Sequence, residues 1–506
     1  MRFLIASVCL LAAAPAFSAE PCAALTALKI TNSKVITAAP IAAGPYAPEQ
    51  RSGGRAAARE FPAFCRVSVV ANPVADSEIH LEVWLPSAGV WNGKFMGIGN
   101  GGYSGDLGFA GMEAALRGGF ATASSDTGHT GSDIKFGAGH PEKIADWASR
   151  AIHVMTETAK LVARNYYGRF PQYSYFAGCS TGGQQALMEA QRYPDDYDGI
   201  AAGAPGNNRV HLNMGFLWSW LALNRDPTAT LPVSKMAALN RAAVDACDAK
   251  DGLKDGLASD PLHCEFDPGS LLCSGAENSE CLTQAQIEAV RKIYGGARNP
   301  RTGEQLFAGW APGSEADANS EVGGWASYFV GKPEPARLDF WRYWVFENPQ
   351  WDPMSFDFDR DAAYAVRKLG YIEAISPDLS AFSARNGKLL IYAGGADPVV
   401  PPADTARYFE SLQEAMGPEK TAGFARFFIV PGMAHCGGGP GPNTFDYMGP
   451  LERWVTQGAA PERIVASHST RAGANRTRPL CPYPQIAKWS GQGSQDDEAQ
   501  FECVRP

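Results

Sequence analysis

The sequence is poor in charge, and its positive charge is not concentrated anywhere. Only 19% of the 506 residues are charged, Lys+Arg 44 are outnumbered by Asp+Glu 53, and no basic run is interleaved with aromatic residues. Nucleic-acid-binding proteins gather positive charge on one face, so this composition argues against a nucleic-acid partner. The 45% apolar content likewise excludes a disordered chain and predicts a globular protein with a large core.

The sequence also lacks an apolar run long enough to span a bilayer. Its longest such stretch covers residues 3–17, follows Arg2 and leads into the small residues Ser18 and Ala19. A membrane helix needs about 20 apolar residues, whereas this pattern is typical of a secretory signal peptide. We therefore expect residues 1–19 to be removed, and we expect a secreted or periplasmic protein with no membrane partner.

Cysteine pairs of the kind that bind zinc are missing as well. The 11 cysteines include no CxxC pair, and no CxxC is followed by HxxxH. Cleavage of the signal peptide removes Cys9, and the even number that remains indicates disulfides in an exported protein. Counting alone does not choose among the pairings. Short loops meet often in the unfolded chain, which favours Cys247 with Cys264, Cys273 with Cys281 and Cys481 with Cys503.

Strand-like and helix-like segments alternate at both ends of the chain. Strand patterns occur at 79–84, 94–98, 121–126, 388–393 and 425–430, and helical patterns at 143–167 and 403–416. This alternation predicts an α/β fold with a mostly parallel sheet. Between residues 207 and 369 the pattern changes to Asp-Gly turns, cysteines and aromatic residues. We interpret residues 207–369 as an inserted lid, and 20–206 with 370–506 as the catalytic domain.

The sharpest chemical signal is the sequence GCSTGG at 178–183. It contains G-x-S-x-G around Ser180, between the strand-like YSYFAG and the helix-like QQALMEAQRY. In this context the serine occupies a sharp turn, where glycines avoid steric collisions. We interpret Ser180 as a nucleophile, with an ordinary Gly-rich turn as the alternative. The N–H of Thr181 then lies at a helix N-terminus and is the first expected oxyanion donor.

A serine nucleophile needs a base and a carboxylate, which follow it in the order Ser, Asp, His in this class of fold. Asp397 in GGADPVVP and His435 in PGMAHCG each come directly after a predicted strand. Both therefore lie at strand carboxyl ends, where open α/β sheets place their sites. Asp397 as a mere turn residue is one alternative. His129 also follows a strand and is the alternative base, although it precedes the serine in the chain.

Cysteines flank two of these candidates. Cys179 directly precedes Ser180, and Cys436 directly follows His435. A bond between the two cysteines would tie the serine turn to the histidine loop, whereas two buried free thiols are the alternative. Because a base misplaced by about 1 Å costs on the order of 100-fold in rate, we expect the benefit of such a bond to be catalytic.

The arrangement of Cys179-Ser180, Asp397 and His435-Cys436 resembles that of the tannase and feruloyl esterase family, the group that includes mono(hydroxyethyl) terephthalate hydrolase. Further matching motifs are GNGGYSG at 99–105, YDGIAAGAPG at 197–206, PGMAHCGGGPG at 431–441 and RTRPLCPYPQIA at 476–487. The resemblance implies an α/β-hydrolase fold with a large lid domain inserted between the nucleophile and the catalytic acid. It also implies the disulfides Cys22–Cys65 and Cys179–Cys436 beside the three local ones.

A second cluster, CDAKDGLKDGL at 247–257, brings three carboxylates within eight residues. They repel one another unless a hard cation shares them. EF-hand spacing is absent, and two solvated Asp-Gly turns explain the composition equally well. The resemblance implies a structural Ca²⁺ in the lid, held by the following residues: Asp248, Asp251 and Asp255 through side chains, and Leu253 and Leu257 through backbone carbonyls.

Substrate recognition is carried by weaker signals in the lid. Trp325 and Phe340 offer faces to an aromatic acid, and Arg337 is able to form paired hydrogen bonds with a carboxylate. Packing within the lid core is the alternative for all three. For the second oxyanion donor we expect the N–H of Gly101, with that of Asn100 as the next choice.

These features predict a serine carboxylesterase that cleaves esters of galloyl or hydroxycinnamoyl acids through an acyl-enzyme. Hydrolysis of mono(hydroxyethyl) terephthalate or related diacid monoesters is the alternative. The small residues around Asp397, namely Ala393, Ala396 and Val400, argue against it, because that substrate favours a more enclosing aromatic or imidazole wall. A serine peptidase is a further rival. A calcium-dependent binding protein without catalysis is the alternative of another class. The substrate is a small molecule in each enzymatic case, and the oligomeric state is left open.

Overall fold

The computed structural model describes residues 21–53, 57–316, 323–469 and 475–506. The predicted signal peptide, residues 1–19, lies outside these residues. None of the described helices is both long and apolar enough to cross a membrane.

The strands are, in chain order, β1 (Lys29–Ile30), β2 (Ser33–Ile41), β3 (Gly44–Tyr46), β4 (Arg59–Phe61), β5 (Phe64–Ala71), β6 (Ile79–Pro86), β7 (Lys94–Ile98), β8 (Ala121–Ser125), β9 (Tyr173–Cys179), β10 (Gly199–Gly203), β11 (Lys388–Gly394), β12 (Ala425–Val430), β13 (Thr444–Phe445), β14 (Ile464–Ser469), β15 (Asn475–Leu480), β16 (Ile486–Trp489) and β17 (Phe501–Val504).

The helices are, in chain order, α1 (Phe109–Arg117), α2 (Pro141–Ala145), α3 (Ala151–Tyr167), α4 (Thr181–Arg192), α5 (Arg209–Asn224), α6 (Met236–Asp245), α7 (Gln284–Gly295), α8 (Arg360–Leu369), α9 (Ser380–Ala384), α10 (Pro402–Met416), α11 (Pro418–Phe424) and α12 (Met448–Gln457). Two π-helical segments accompany them, Asp146–Arg150 and Phe340–Val345.

The main sheet has ten strands in the order β1-β2-β5-β6-β8-β7-β9-β10-β11-β12. The six strands from β8 to β12 pair in parallel, whereas the pairings from β1 to β8 through β6 are antiparallel. The α/β fold is thus confirmed, with an antiparallel half that the sequence did not suggest. Because β9, β10, β11 and β12 are parallel neighbours, their carboxyl ends lie along one edge of the sheet.

The segment between β10 and β11 adds no strand to the main sheet among its described residues. Its apolar side chains form a large core of their own, built mainly from α5, α7 and the Trp-rich π-helical segment Phe340–Val345. That core also takes in Tyr103, Trp147, Val399 and Val400 from outside the segment. The architecture is therefore an α/β-hydrolase fold with a large insertion before β11, the strand that Asp397 follows. The domain boundaries near residues 206 and 370 stay a prediction.

Five disulfides link the described chain: Cys22–Cys65, Cys179–Cys436, Cys247–Cys264, Cys273–Cys281 and Cys481–Cys503. They include the three pairs favoured by sequence proximity and the two implied by the family resemblance. Disulfides of this number are typical of proteins that fold in an oxidising compartment.

Candidate active site

Ser180 occupies the sharp turn between β9 and α4. Its backbone has φ 64° and ψ −116°, a conformation that L-residues rarely adopt and that the surroundings must hold in place. The Ser180 N–H donates to the Gly203 carbonyl at 2.9 Å, and the Gly206 N–H donates to the Ser180 carbonyl at 3.0 Å. A Cβ atom on Gly183 would lie 2.3 Å from the Gly203 oxygen. Only glycine fits there, so the last glycine of GCSTGG is explained by the close approach of α4 to the end of β10.

Asp397 and His435 follow β11 and β12 and are bonded to each other. The distance from His435 Nδ1 to Asp397 Oδ2 is 2.7 Å, and the Asp397 side chain is fully buried. Its other oxygen accepts the N–H groups of Val399 and Val400 at 2.7 and 2.9 Å. The carboxylate therefore holds the imidazole through Nδ1 and leaves Nε2 free to exchange a proton with a nucleophile.

A disulfide joins the two loops that carry the candidate nucleophile and base. Cys179 and Cys436 are bonded, with their Cα atoms 5.9 Å apart, although 257 positions separate them in the chain. Their neighbours Ser180 and His435 are thereby held on adjacent loops of the same sheet edge. The lid reaches this edge as well, because Trp310 Nε1 donates to the Pro398 carbonyl at 2.7 Å.

The loop at 99–102 packs directly against the start of α4. A Cβ atom on Gly99 would lie 2.7 Å from the Cα of Gly182. The Asn100 N–H donates to Gln185 Oε1 at 3.0 Å and is therefore already used. Gly101 lies on the exposed part of the loop. Of the two expected second donors, the geometry thus favours the N–H of Gly101.

His129, the alternative base, is bonded to this loop instead. Its Nε2 lies 2.9 Å from the Tyr103 carbonyl, and its ring stacks on Phe136 with centroids 3.7 Å apart. Burial lowers the pKa of His129, which favours the neutral ring. Because the buried carboxylate of Asp397 is bonded to His435, the structure favours His435 as the base.

Arg209 is a buried residue near the nucleophile that sequence reasoning missed. Its Nη2 donates to Thr181 Oγ1 at 2.8 Å, and the Thr181 hydroxyl donates to the Gly102 carbonyl at 2.7 Å. The available signal was an arginine at the start of α5, a helix that is otherwise almost entirely apolar. The sequence alone gives no indication that this arginine reaches the residue after the serine.

The three lid candidates for substrate binding differ in their surroundings. Trp325 and Phe340 are fully buried in the lid core, and their contact with substrate stays a prediction. Arg337 has φ 62° and stacks on Phe216 at 4.6 Å, and its Nη1 is buried without a hydrogen-bond partner. Among the described residues no carboxylate forms an ion pair with it.

Tyr328 lies within electrostatic range of both Arg337 and Asp397. Burial raises the pKa of Tyr328. The charge of Arg337 partly opposes this shift, and the charge of Asp397 adds to it. Both charges therefore act on the same phenol. Burial lowers the pKa of Arg337 itself, although the residue as a whole is only half-buried.

The expected calcium loop is a surface turn with Asp248 and Asp251 buried beneath it, and its aspartates are partly bonded to the protein. Asp248 Oδ1 accepts the Asp255 N–H at 2.9 Å, and Asp251 Oδ1 accepts the Leu253 N–H at 2.9 Å. Arg478 Nη2 donates to Asp255 Oδ2 at 2.6 Å. Burial raises the pKa of Asp251, and the nearby Asp255 carboxylate adds to that shift. The second oxygen of Asp255 is buried without a hydrogen-bond partner.

The described residues contain no group of three His, Cys, Asp or Glu side chains close enough to hold a metal ion. The loop nevertheless supplies hard oxygen donors of the kind that Ca²⁺ prefers. Its unpartnered Asp255 Oδ1 lacks the contact that a cation would provide. The donor set therefore fits calcium if the buried carbonyls of Leu253 and Leu257 contribute, and the ion stays a prediction.

Comparisons with known proteins agree with this geometry. The family model described as "Tannase and feruloyl esterase" matches residues 65–504. An uncharacterised esterase of Xanthomonas campestris pv. campestris is 40% identical, with 100% of this chain and 94% of that protein covered. The mono(2-hydroxyethyl) terephthalate hydrolase of Piscinibacter sakaiensis is 33% identical, with 89% and 86% covered.

Among solved structures, feruloyl esterase B from Aspergillus oryzae superimposes with a TM-score of 0.87 at 30% identity, covering 94% of this chain and 98% of its own. The similarity therefore includes the lid as well as the sheet. The chain belongs to the tannase and feruloyl esterase family and is a carboxylic ester hydrolase.

Proposed function

We propose that this enzyme hydrolyses esters of aromatic acids by a two-step serine mechanism. Ser180 attacks the ester carbonyl while His435 Nε2 takes the hydroxyl proton, and Asp397 stabilises the imidazolium that forms. The N–H groups of Thr181 and Gly101 bind the oxyanion. His435 returns its proton to the departing alcohol, and water then cleaves the acyl-enzyme by the same steps in reverse order.

The observation that carries this proposal is the disulfide between Cys179 and Cys436. It places the residue after Cys179 and the residue before Cys436 on adjoining loops. One of these residues is a serine in a strained turn, and the other is a histidine bonded to a buried carboxylate. A calcium-dependent binding protein without catalysis has no need for this arrangement.

A fluorophosphonate probe tests the mechanism directly. It should label Ser180 in the folded enzyme, and peptide mapping should find the adduct on that residue alone. Ser180→Ala should lower ester hydrolysis by five or more orders of magnitude, because the members of a triad act as a unit. A folded Ser180→Ala variant with a tenth of the original activity would exclude Ser180 as the nucleophile.

For the acyl group, the first candidates are galloyl and hydroxycinnamoyl esters. Members of the family carry the names tannase and feruloyl esterase, and the aromatic lid provides apolar surface for a phenolic ring. Methyl gallate, methyl ferulate and methyl p-coumarate are the substrates to compare. Cleavage of an ester far faster than the matching amide distinguishes this enzyme from a serine peptidase.

Monoesters of aromatic diacids are the second candidate, and Arg337 is the observation in their favour. A guanidinium with a buried, unbonded Nη1 and no carboxylate partner among the described residues suits a substrate that brings its own carboxylate. Monomethyl terephthalate and methyl benzoate differ mainly in that group. Arg337→Met should therefore lower kcat/KM for monomethyl terephthalate at least tenfold and leave methyl benzoate within threefold. Equal losses on both esters would remove Arg337 from carboxylate recognition.

The proposal includes a structural Ca²⁺ in the 247–257 loop, held by Asp248, Asp251, Asp255 and two carbonyl groups. The ion would neutralise carboxylates that otherwise repel, and it takes no part in the reaction. A cavity of about 360 Å³ is lined both by Leu257 of this loop and by Ala396, the neighbour of the catalytic acid. A loss of order in this loop should therefore alter the cavity beside Asp397.

Removal of the ion is the test of this part. Chelation should lower the melting temperature and weaken the binding of bulky esters, while the hydrolysis of p-nitrophenyl acetate continues. Asp251→Ala should reproduce the effect of the chelator and should not respond to added Ca²⁺ at moderate concentrations. If the purified protein contains no calcium and chelation leaves its melting temperature unchanged, the 247–257 loop is only a pair of solvated Asp-Gly turns.

A further inference from the structure

Arg209 carries a positive charge in the interior of the enzyme, where its side chain is 1% exposed. No carboxylate among the described residues forms an ion pair with it. Its guanidinium instead lies over the rings of Trp147 and Tyr103, 5.3 and 5.7 Å from their centroids. Burial lowers the pKa of Arg209 to about 10, so the group remains charged at neutral pH.

An unpaired buried charge destabilises a fold. We therefore expect a protein to keep one only where its function requires it. Arg66 illustrates the ordinary solution, because it pairs with the buried Glu82, with Nε 2.9 Å from Oε2. Arg209 has only neutral partners: its Nε donates to Gln184 Oε1 at 2.8 Å, and its Nη2 donates to Thr181 Oγ1. No carboxylate in the part of the chain that the structure describes therefore balances the charge of Arg209.

The contacts of Arg209 lead to both expected oxyanion donors. Thr181 supplies one N–H group, and its hydroxyl, which accepts from Arg209, donates to the Gly102 carbonyl at 2.7 Å. Gly102 is adjacent to Gly101, the second expected donor. Gln184 is itself fixed by a bond from Nε2 to the Ile372 carbonyl at 2.7 Å. The guanidinium thus connects the start of α4 with the glycine loop through one hydroxyl.

We propose that Arg209 is a positioning residue for ester hydrolysis, holding Thr181 against the 99–102 loop and favouring the negative charge that develops on the oxyanion. It acts through Thr181 and does not touch the substrate. The balancing charge then exists only while the tetrahedral intermediate does, so the effect belongs to the transition state. This inference rests on the proposed serine mechanism, whose own test is the labelling and replacement of Ser180.

The experiment compares Arg209→Met, Arg209→Lys, Thr181→Val and the double variant Arg209→Met/Thr181→Val. Thr181→Val keeps the backbone N–H and the side-chain shape but removes the hydroxyl link. Arg66→Met is the control, because it removes a half-buried arginine on β5 that bonds a carboxylate and leaves the contacts of Arg209 in place. Phenylboronic acid, which forms a tetrahedral adduct with a reactive serine, reports binding of the charged intermediate, and p-coumarate reports binding of a product.

Arg209→Met should lower kcat for methyl p-coumarate between tenfold and several hundredfold, with KM within threefold. The affinity for phenylboronic acid should fall by a similar factor, while that for p-coumarate stays within threefold. Arg209→Lys keeps the charge and should recover at least part of kcat. The double variant should be at most threefold worse than Arg209→Met, because both changes break one link. Arg66→Met should lower stability but keep kcat.

A folded Arg209→Met variant with more than a third of the original kcat would overturn the proposal. A fall in kcat without a matching fall in boronate affinity would also overturn it, since the role would then be structural. If Arg209→Met does not fold, Thr181→Val decides: a loss of at least tenfold in both kcat and boronate affinity supports the link, and a smaller loss in either refutes it. Complete fluorophosphonate labelling of Ser180 in these variants, even at a slower rate, keeps the outcome separate from a failure of the serine mechanism.

Discussion

The disulfide between Cys179 and Cys436 leads to a prediction that separates catalytic activity from stability. Replacing both cysteines with serine opens a loop of 257 residues. In the chain-entropy model this costs up to about 5.5 kcal/mol of unfolding free energy. The Cys22–Cys65 bond closes a loop of 43 residues, for which the same model gives about 4 kcal/mol. The two losses are similar because the cost grows only with the logarithm of loop length.

The catalytic consequences should differ far more than the stabilities do. Cys22 begins a short 3-10 helix, Cys22–Ala27, and Cys65 lies on β5. Cys179 and Cys436 instead adjoin the proposed nucleophile and the proposed base. Without its disulfide the histidine loop is free to shift, and a displacement of about 1 Å costs on the order of 100-fold in rate. We expect kcat to fall between tenfold and 100-fold in Cys179→Ser/Cys436→Ser, and to stay within twofold in Cys22→Ser/Cys65→Ser.

The assay is kcat for p-nitrophenyl acetate per active site, with active sites counted by fluorophosphonate titration. Urea denaturation of the same preparations gives the two stability losses, and peptide mapping confirms that the other four disulfides are intact. If both double variants lose stability and both keep the original kcat, the bond does not position the base. In that case the disulfide contributes to stability alone.

Three further predictions concern the surroundings of the site. Burial raises the pKa of Glu315 from 4.5 to about 7. Folding therefore favours the protonated carboxyl group, and the free energy of unfolding falls by about 3 kcal/mol as the pH rises from 4.5 to 7. Glu315→Gln should thus have a higher urea midpoint than the original protein at pH 8 but not at pH 4.5, and identical pH profiles would refute this. Gly99→Ala would place a Cβ atom 2.7 Å from the Gly182 Cα, so kcat should fall on the order of 100-fold; an unchanged kcat would mean that the loop takes no part. Trp310→Phe removes the hydrogen bond to the Pro398 carbonyl, next to Asp397, and should lower kcat for methyl p-coumarate a few-fold. An unchanged kcat would mean that the lid does not hold the loop that carries Asp397.

Strands that form apolar runs of their own could be predicted from the sequence. Those at Lys94–Ile98 and Ala425–Val430 have the expected bounds. The helix expected over 143–167 ends at Tyr167 as predicted, before a left-handed Gly168, but a π-helical segment interrupts it. The central strand Gly199–Gly203 was missed, because its sequence GIAAG has low β-propensity and is stabilised by burial between two neighbours.

The candidate triad could also be predicted, because each member follows a strand and the order in the chain is characteristic. Arg209 and Gln185 could not be predicted, since their roles depend on which backbone groups lie opposite them in the folded protein. The N–H of Asn100 is one such group: it is taken by Gln185 Oε1, 85 positions away. Long-range bonds of this kind have no local sequence pattern.

The lid core has a further consequence for how such an enzyme can change its substrate. Tyr103 and Trp147 belong to the same packed cluster as the lid residues Phe340 and Trp344. Opening the lid as a rigid flap would break this shared packing, so we expect substrate to enter through movements of individual side chains and loops. A mutation that reshapes the acyl pocket would also disturb the packing that holds the whole molecule together. Broadening the substrate range of this protein should therefore require compensating substitutions elsewhere in the lid, and single pocket mutants should be less heat-resistant than their parent.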